Sequence, residues 1–200
     1  MKQQRILSNL SLFVIGLVAF GFLEGCGILN SIAGLTKEKN PPFKNELGLM
    51  VVTPGASFNP QTASSQLYNQ VEALTAKGRM VMLNASRQPI LFEAYWCPHC
   101  QRTLIALNKN KAHFKRLPVL VSEGFVPGTT LLQAIHLTSQ EISAYHLNGF
   151  RVYYILNTNE VAKNSKNGFP TLVFSRQGHL FTLTGEHTLA VWEKAINSTK

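Results

Sequence analysis

An α/β fold is predicted by three observations. Segments of strand composition alternate with segments at helical spacing along most of the chain. The nearly all-apolar run from Pro89 to Trp96 has the character of a central strand buried on both faces. The chain then closes with a hairpin signal and an amphipathic helix. Its 200 residues, 45% hydrophobic and 10% aromatic, suffice to bury one good core and not two, so one domain with an N-terminal extension is expected.

Residues 1–34 read as a targeting segment, because Lys2 and Arg5 precede the apolar run Leu10 to Phe22. Three endings are open. Leu23-Glu24-Gly25-Cys26 resembles a bacterial lipobox that would lipidate Cys26, although Glu24 departs from the small or apolar residue normal there. Ser31-Ile32-Ala33 resembles a signal peptidase site. Ile6 to Leu23 is long enough to remain as a spanning helix. An extracytoplasmic domain, tethered to the cytoplasmic membrane through its N-terminus or else secreted, is expected.

Residues 35–60 carry four prolines between Thr36 and Pro60 and read as a spacer, with a short strand at Leu47 to Thr53. The domain should occupy residues 61–200. Leu67, Val71 and Leu74 predict a helix from Pro60 to Lys77, ended by Gly78. Strands follow at Arg79 to Ala85 and Pro89 to Trp96, a helix from the cysteine pair to about His113, and a strand at Leu117 to Ser122. Thr129 to His146 is helical, with Thr138-Ser139 and Glu141 able to start a second helix within it. Val152 to Leu156 reads as a strand and Asn159 to Lys166 as a polar, helix-compatible connection. Thr171 to Ser175 and Leu180 to Thr184 flank a turn at Gln177-Gly178, and Thr188 to Asn197 forms the last helix.

Composition excludes several functions. The sequence contains no Asp, which removes Ser-His-Asp catalysis and Asp-rich calcium loops. Beyond the leader, 17 basic residues face 9 acidic ones, but they are scattered without a basic face or an aromatic-interleaved motif, so nucleic acid is not an expected partner. Cys97 and Cys100 with no histidine pair at i, i+4 spacing do not make a structural zinc site.

The chemistry concentrates at Trp96-Cys97-Pro98-His99-Cys100. A cysteine at a helix start faces the positive end of the helix dipole and free N–H groups, both of which favour the reactive thiolate. Pro98 suits the first helical turn, where its missing N–H would have no partner. Protonated His99 adds positive charge beside Cys97. Two cysteines three apart at a helix start can close a reversible disulfide, so the segment reads as a redox switch.

Further along stand Gly168-Phe169-Pro170-Thr171 before a strand, then Phe174, Gly178 and Gly185 before the final helix. In motif, spacing and order of elements, with Pro170 lying 73 residues after Cys97, residues 61–198 resemble the thioredoxin superfamily. The resemblance implies a thioredoxin-like mixed sheet of four or five strands flanked by helices, with Pro170 in cis opposite the dithiol. It implies Cys97 as exposed nucleophile, Cys100 as resolving thiol in a redox-active Cys97-Cys100 disulfide, and Trp96 and Phe169 as substrate contacts. It further implies protein thiols or disulfides as substrates, a membrane or extracytoplasmic redox partner, and no cofactor.

The chain departs from that family in two places. The buried acid that many thioredoxins carry six residues before the first cysteine is Leu91 here, and Glu93, two residues on along the same strand face, is the candidate for proton transfer. The interval to Pro170 exceeds that of a minimal thioredoxin, which predicts a helical insertion near Val126 to Asn148. Pro98-His99 is the dipeptide typical of DsbA-type oxidases and favours the oxidising direction over the reducing one. The alternative is a thioredoxin-like accessory module of a transport or maturation complex, with a non-catalytic dithiol.

Overall fold

A computed structural model describes residues 39–199. The leader with Cys26 lies outside the described residues. Among the described residues no helix is long and apolar enough to cross a membrane.

Strand β4 (Ile90–Glu93) sits inside the sheet with all four residues buried, as its apolar run requires. It pairs in parallel with β5 (Val119–Ser122) and antiparallel with β7 (Thr171–Arg176). Strand β8 (His179–Thr184) follows β7 through the expected hairpin, in which Gln177 and Gly178 both have positive φ, 54° and 82°, the backbone that suits a two-residue turn. Strand β6 (Val152–Tyr154) extends β5 in parallel. These five strands are the expected mixed sheet.

The observed sheet is wider. Strand β1 (Gln61–Thr62) adds to β8, and a hairpin of β2 (Val71–Leu74) and β3 (Met80–Leu83) adds to β6, giving the order β1-β8-β7-β4-β5-β6-β2-β3. The helix expected over Pro60 to Lys77 is therefore corrected. Only α1 (Ser65–Tyr68) is helical, with the Ser64 hydroxyl accepting from Leu67 N–H. From Val71 onward, burial alternates residue by residue as in a strand, and the backbone pairs with β3 instead of with itself. Leu67, Val71 and Leu74 satisfy a helical period, but sheet pairing outweighed it.

Helix α2 (Pro98–Lys109) starts at the dithiol, and α5 (Leu189–Ile196) closes the chain. Both pack on the sheet face that presents Leu91, Leu120, Leu172 and Leu183, where Trp192 is wholly buried. The opposite face presents Ile90, Phe92, Val119, Val121 and Val173 toward Tyr68 and Val161. The stretch between β5 and β7 holds α3 (Leu131–Ala144), then β6, then α4 (Thr158–Asn164). Thr130 starts α3 with a reciprocal capping box to Gln133, and the helix runs unbroken past Thr138, so no second helix begins there.

The stretch read as a spacer packs against the domain over its described part. The Tyr95 hydroxyl donates to the Pro41 carbonyl at 2.6 Å, and Phe43 meets the Tyr145 ring edge-on at 5.8 Å. The strand expected at Leu47 to Thr53 is not formed. The carbonyls of Leu47, Leu49 and Met50 turn to the Arg102 guanidinium instead, and Met50 adopts φ 45°.

Candidate redox site

The site is built where β4 ends and α2 begins. Cys97 is the N-cap of α2 with extended backbone, and Pro98 opens the first turn. The peptide bond between Phe169 and Pro170 is cis, and the Phe169 carbonyl lies 3.9 Å from Cys97 Sγ as an acceptor for its thiol. Trp96 stands edge-on to the Phe169 ring at 6.1 Å, and its indole N–H donates to the Gly124 carbonyl at 3.0 Å. Gly124 is required there, because its φ is +77° and a Cβ would stand 3.2 Å from that of Ala94 and 3.3 Å from the Phe169 ring. Thus Trp96, Cys97, Phe169 and Pro170 come together as the sequence suggests, with Trp96 39% exposed.

Both cysteines are in the free form and buried, Cys97 with 5% of its surface exposed and Cys100 with none. Cys97 is thus the more accessible of the two, although far less open than expected. Their environments push them apart. A hydrogen bond from the Cys100 thiol, together with the N–H groups of Cys100 and His99 and the charge of His99, outweighs burial and lowers Cys97 to about 6. Burial, followed by the bond and charge of Cys97 and the charge of Glu93, raises Cys100 well above an ordinary thiol. One sulfur is held as thiolate at neutral pH and the other as thiol.

His99 is held from two sides. Its Nδ1 lies 3.1 Å from Glu186 Oε2 and 2.8 Å from an Arg102 terminal nitrogen, and the Arg102 Nε donates to both Glu186 oxygens at 2.9 Å. Burial opposes ionisation of Glu186, but the hydrogen bonds and charges of Arg102 and His99 hold its carboxyl below the usual range. Next along the helix, the buried Gln101 amide is fully satisfied. It donates to the carbonyls of Lys44 and Tyr95 and accepts from Glu46 N–H and the Tyr145 hydroxyl.

Glu93 is wholly buried beneath the dithiol, and neither of its carboxyl oxygens makes a hydrogen bond of ordinary geometry. Burial raises it to about 8; nearby Ser122 pulls downward and the Cys97 charge upward. Two further carboxyls, missed in the sequence, lie nearby. Glu141 on α3 is wholly buried, and Glu123, at the end of β5, is raised to about 8 by burial despite the Ser165 hydroxyl, which donates to it at 2.5 Å. Among the described residues no group of three His, Cys, Asp or Glu side chains could hold a metal ion.

Gln101, Arg102, Glu123, Glu141 and Glu186 carried no local sequence signal of a role at the site. Only the adjacency of Gln101-Arg102 to the dithiol, and of Glu186 to the turn glycine Gly185, marked their positions.

No family model and no curated protein matches this chain. Solved structures do. MTB DsbF, in its mixed oxidised and reduced forms, aligns with a TM-score of 0.50 at 16% identity, over 68% of this chain and 100% of that one. A secreted Mycobacterium tuberculosis disulfide oxidoreductase homologous to E. coli DsbE aligns with a TM-score of 0.46 at 21% identity, over 66% and 95% of the two chains. StoA from Bacillus subtilis gives 0.43 at 20% identity, over 62% and 93%. At such identities the likeness concerns architecture, and the architecture of this chain is thioredoxin-like.

Proposed function

We propose that this chain is a thiol-disulfide oxidoreductase acting on protein cysteines outside the cytoplasmic membrane. The observation that carries the reading is the divided dithiol: a Cys97 sulfur lowered to about 6 at a helix start, beside a Cys100 raised and wholly buried. Attack on a disulfide needs a thiolate at working pH, and release of the resulting mixed disulfide needs a second sulfur within reach.

In the reducing direction the Cys97 thiolate attacks one sulfur of a substrate disulfide, and the other leaves as thiolate. Cys100 then loses its proton, attacks Cys97 Sγ, and expels the substrate's second thiolate, leaving the Cys97-Cys100 disulfide. Two electrons have passed to the substrate. The oxidising direction runs these steps backward, and neither needs a cofactor.

In this reading Phe169 and cis-Pro170 receive the substrate chain with Trp96 beside them, and Glu93 exchanges the Cys100 proton. A lowered thiolate stabilises the reduced form, which supports the oxidising direction suggested by Pro98-His99. The leader supports a tethered or exported site of action, with a membrane or extracytoplasmic redox partner. The reading is tested by incubating the purified chain with a test protein disulfide and with a reduced test protein. Wild type should exchange, Cys97→Ala should not, and Cys100→Ala should accumulate mixed disulfide. Exchange unaffected by either variant would overturn the reading in favour of an accessory module.

A further inference from the structure

The interior beneath the dithiol holds a carboxyl that the steps above do not use. Register places Glu93 of β4 beside Ser122 of β5, on the sheet face that carries Leu91 and Leu120 toward α2. The Ser122 hydroxyl meets that of Thr138 on α3 at 2.8 Å. One turn onward along the same face of α3 is Glu141, and one turn beyond that is Tyr145, whose hydroxyl donates at 2.7 Å to Gln101, the residue after Cys100. Glu141 thus lies between a contact beside Glu93 and a contact beside the second cysteine.

Glu93 and Glu141 are both 0% exposed, and all four of their carboxyl oxygens lack a hydrogen-bond partner. The ion pairs seen among the described residues lie elsewhere. Leaving two such groups ionised in an apolar interior costs several kcal/mol each, of order the stability of a whole domain. Apolar side chains of similar volume would serve packing better. Their presence next to the dithiol points to proton chemistry.

We propose, resting on the oxidoreductase reading, that Glu141 and Glu93 form a two-carboxyl proton-holding pair beneath the dithiol, with Glu141 the positioning residue through which Glu93 exchanges a proton with Cys100. During resolution the Cys100 S–H proton passes to Glu93, the member of the pair that is ionised at that moment. The Cys100 sulfur bonds to Cys97 Sγ, the bond from Cys97 to the partner protein breaks, and its electron pair leaves on the partner's sulfur. In the reverse direction a partner thiolate attacks Cys97, Cys100 leaves as thiolate, and the pair returns the proton. Two neighbouring carboxyls give up their two protons in separated steps, because the first charge opposes the second.

The groups that face the pair are Cys97 and Cys100 on α2, Glu123 after β5, Tyr145 on α3 and Tyr154 on β6. Of these only Cys97 is lowered; burial raises Cys100, Glu123, Tyr145 and Tyr154, and Glu141 itself is raised by burial and by the charges of Glu93 and Cys97.

The experiment follows resolution of a mixed disulfide between Cys97 of the full chain and a cysteine-containing peptide, from about pH 6 to pH 9.5. Redox-difference infrared spectra of the protonated carboxyl band are recorded alongside. Wild type should show two carboxyl steps. Glu141→Gln should lose one and move the other to lower pH, with the redox-linked Glu93 band shifted, and Glu141→Asp should restore two steps. A Glu141→Gln chain whose pH profile and Glu93 band match wild type, while wild type exchanges normally, overturns the pair and leaves the oxidoreductase reading standing. A wild type that forms no mixed disulfide overturns both.

Discussion

Cys97 and Cys100 lie one helical turn apart and are chemically opposite. Cys97, at the rim, receives the Cys100 thiol, two backbone N–H groups and the charge of His99, and is lowered to about 6. Cys100, on the inner side of the same turn, meets burial and the negative charges of Cys97 and Glu93, and is raised. The same residue type is thus divided into nucleophile and reserve by where hydrogen-bond donors end and carboxyls begin. The rim is rich in donors, through the helix start and the Arg102–Glu186–His99 cluster, whereas the floor holds acids whose oxygens lack protein partners.

Deleting either sulfur should have the largest effect. Cys97→Ala should reduce exchange by roughly 1,000-fold or more, while Cys100→Ala should retain the first attack and stall as mixed disulfide, measured by turnover and by non-reducing gels. Equal losses with no trapped intermediate would show that the two sulfurs are not divided.

Next in size is the response of stability to pH. Glu93 titrates at 4.5 in the reference state and at about 8 in the fold, so the folded chain binds the extra proton between those values. Its stabilising contribution is full below pH 4.5 and is lost as pH rises through 8. Glu123 acts with the same sign over the same window. Cys97 acts oppositely, since a group lowered from 9 to about 6 contributes fully above 9 and loses that contribution as pH falls through 6. Glu93→Gln should therefore flatten the fall in denaturant midpoint between about pH 4.5 and 8, and an unchanged slope there would mean that Glu93 is not held as an acid.

How much of this was legible in the sequence differs between the same two regions. The rim was legible because it is local: strand, dithiol and helix are contiguous, and Phe169-Pro170 announces itself before a strand. Proline and cysteine chemistry acts through the adjoining backbone, so short motifs carry it. The floor was legible only at Glu93, which shares a strand face with Leu91; Glu141 is brought near it only by the packing of α3, and Glu186 reaches Arg102 across 84 residues. A lone Glu in a helical stretch such as Leu131–Ala144 reads as a solvated position until packing covers it. The fold shows the same limit. Leu67, Val71 and Leu74 fit a helix locally, and only β3 and β6, folded alongside, make Val71–Leu74 a strand.

A smaller effect is expected from the clamp. Arg102→Ala leaves the carbonyls of Leu47, Leu49 and Met50 and the Glu186 carboxyl without this donor, which should cost about 1–3 kcal/mol in denaturant unfolding and loosen residues 47–50 in amide exchange. The smallest should come from His99→Ala. The charge of His99 is the last and least of the causes lowering Cys97, so its removal should raise the Cys97 thiol and make the disulfide less oxidising, by no more than about tenfold in its equilibrium with glutathione.

Whether the two thiols are divided can be read from thiolate absorbance followed against pH in wild type, Cys97→Ala and Cys100→Ala. In wild type a thiolate should appear near pH 6; it should be absent there in Cys97→Ala and appear at higher pH in Cys100→Ala, where the stabilising thiol is gone. A wild-type titration in which no thiolate forms below about pH 8, the range of an ordinary cysteine, would contradict that division.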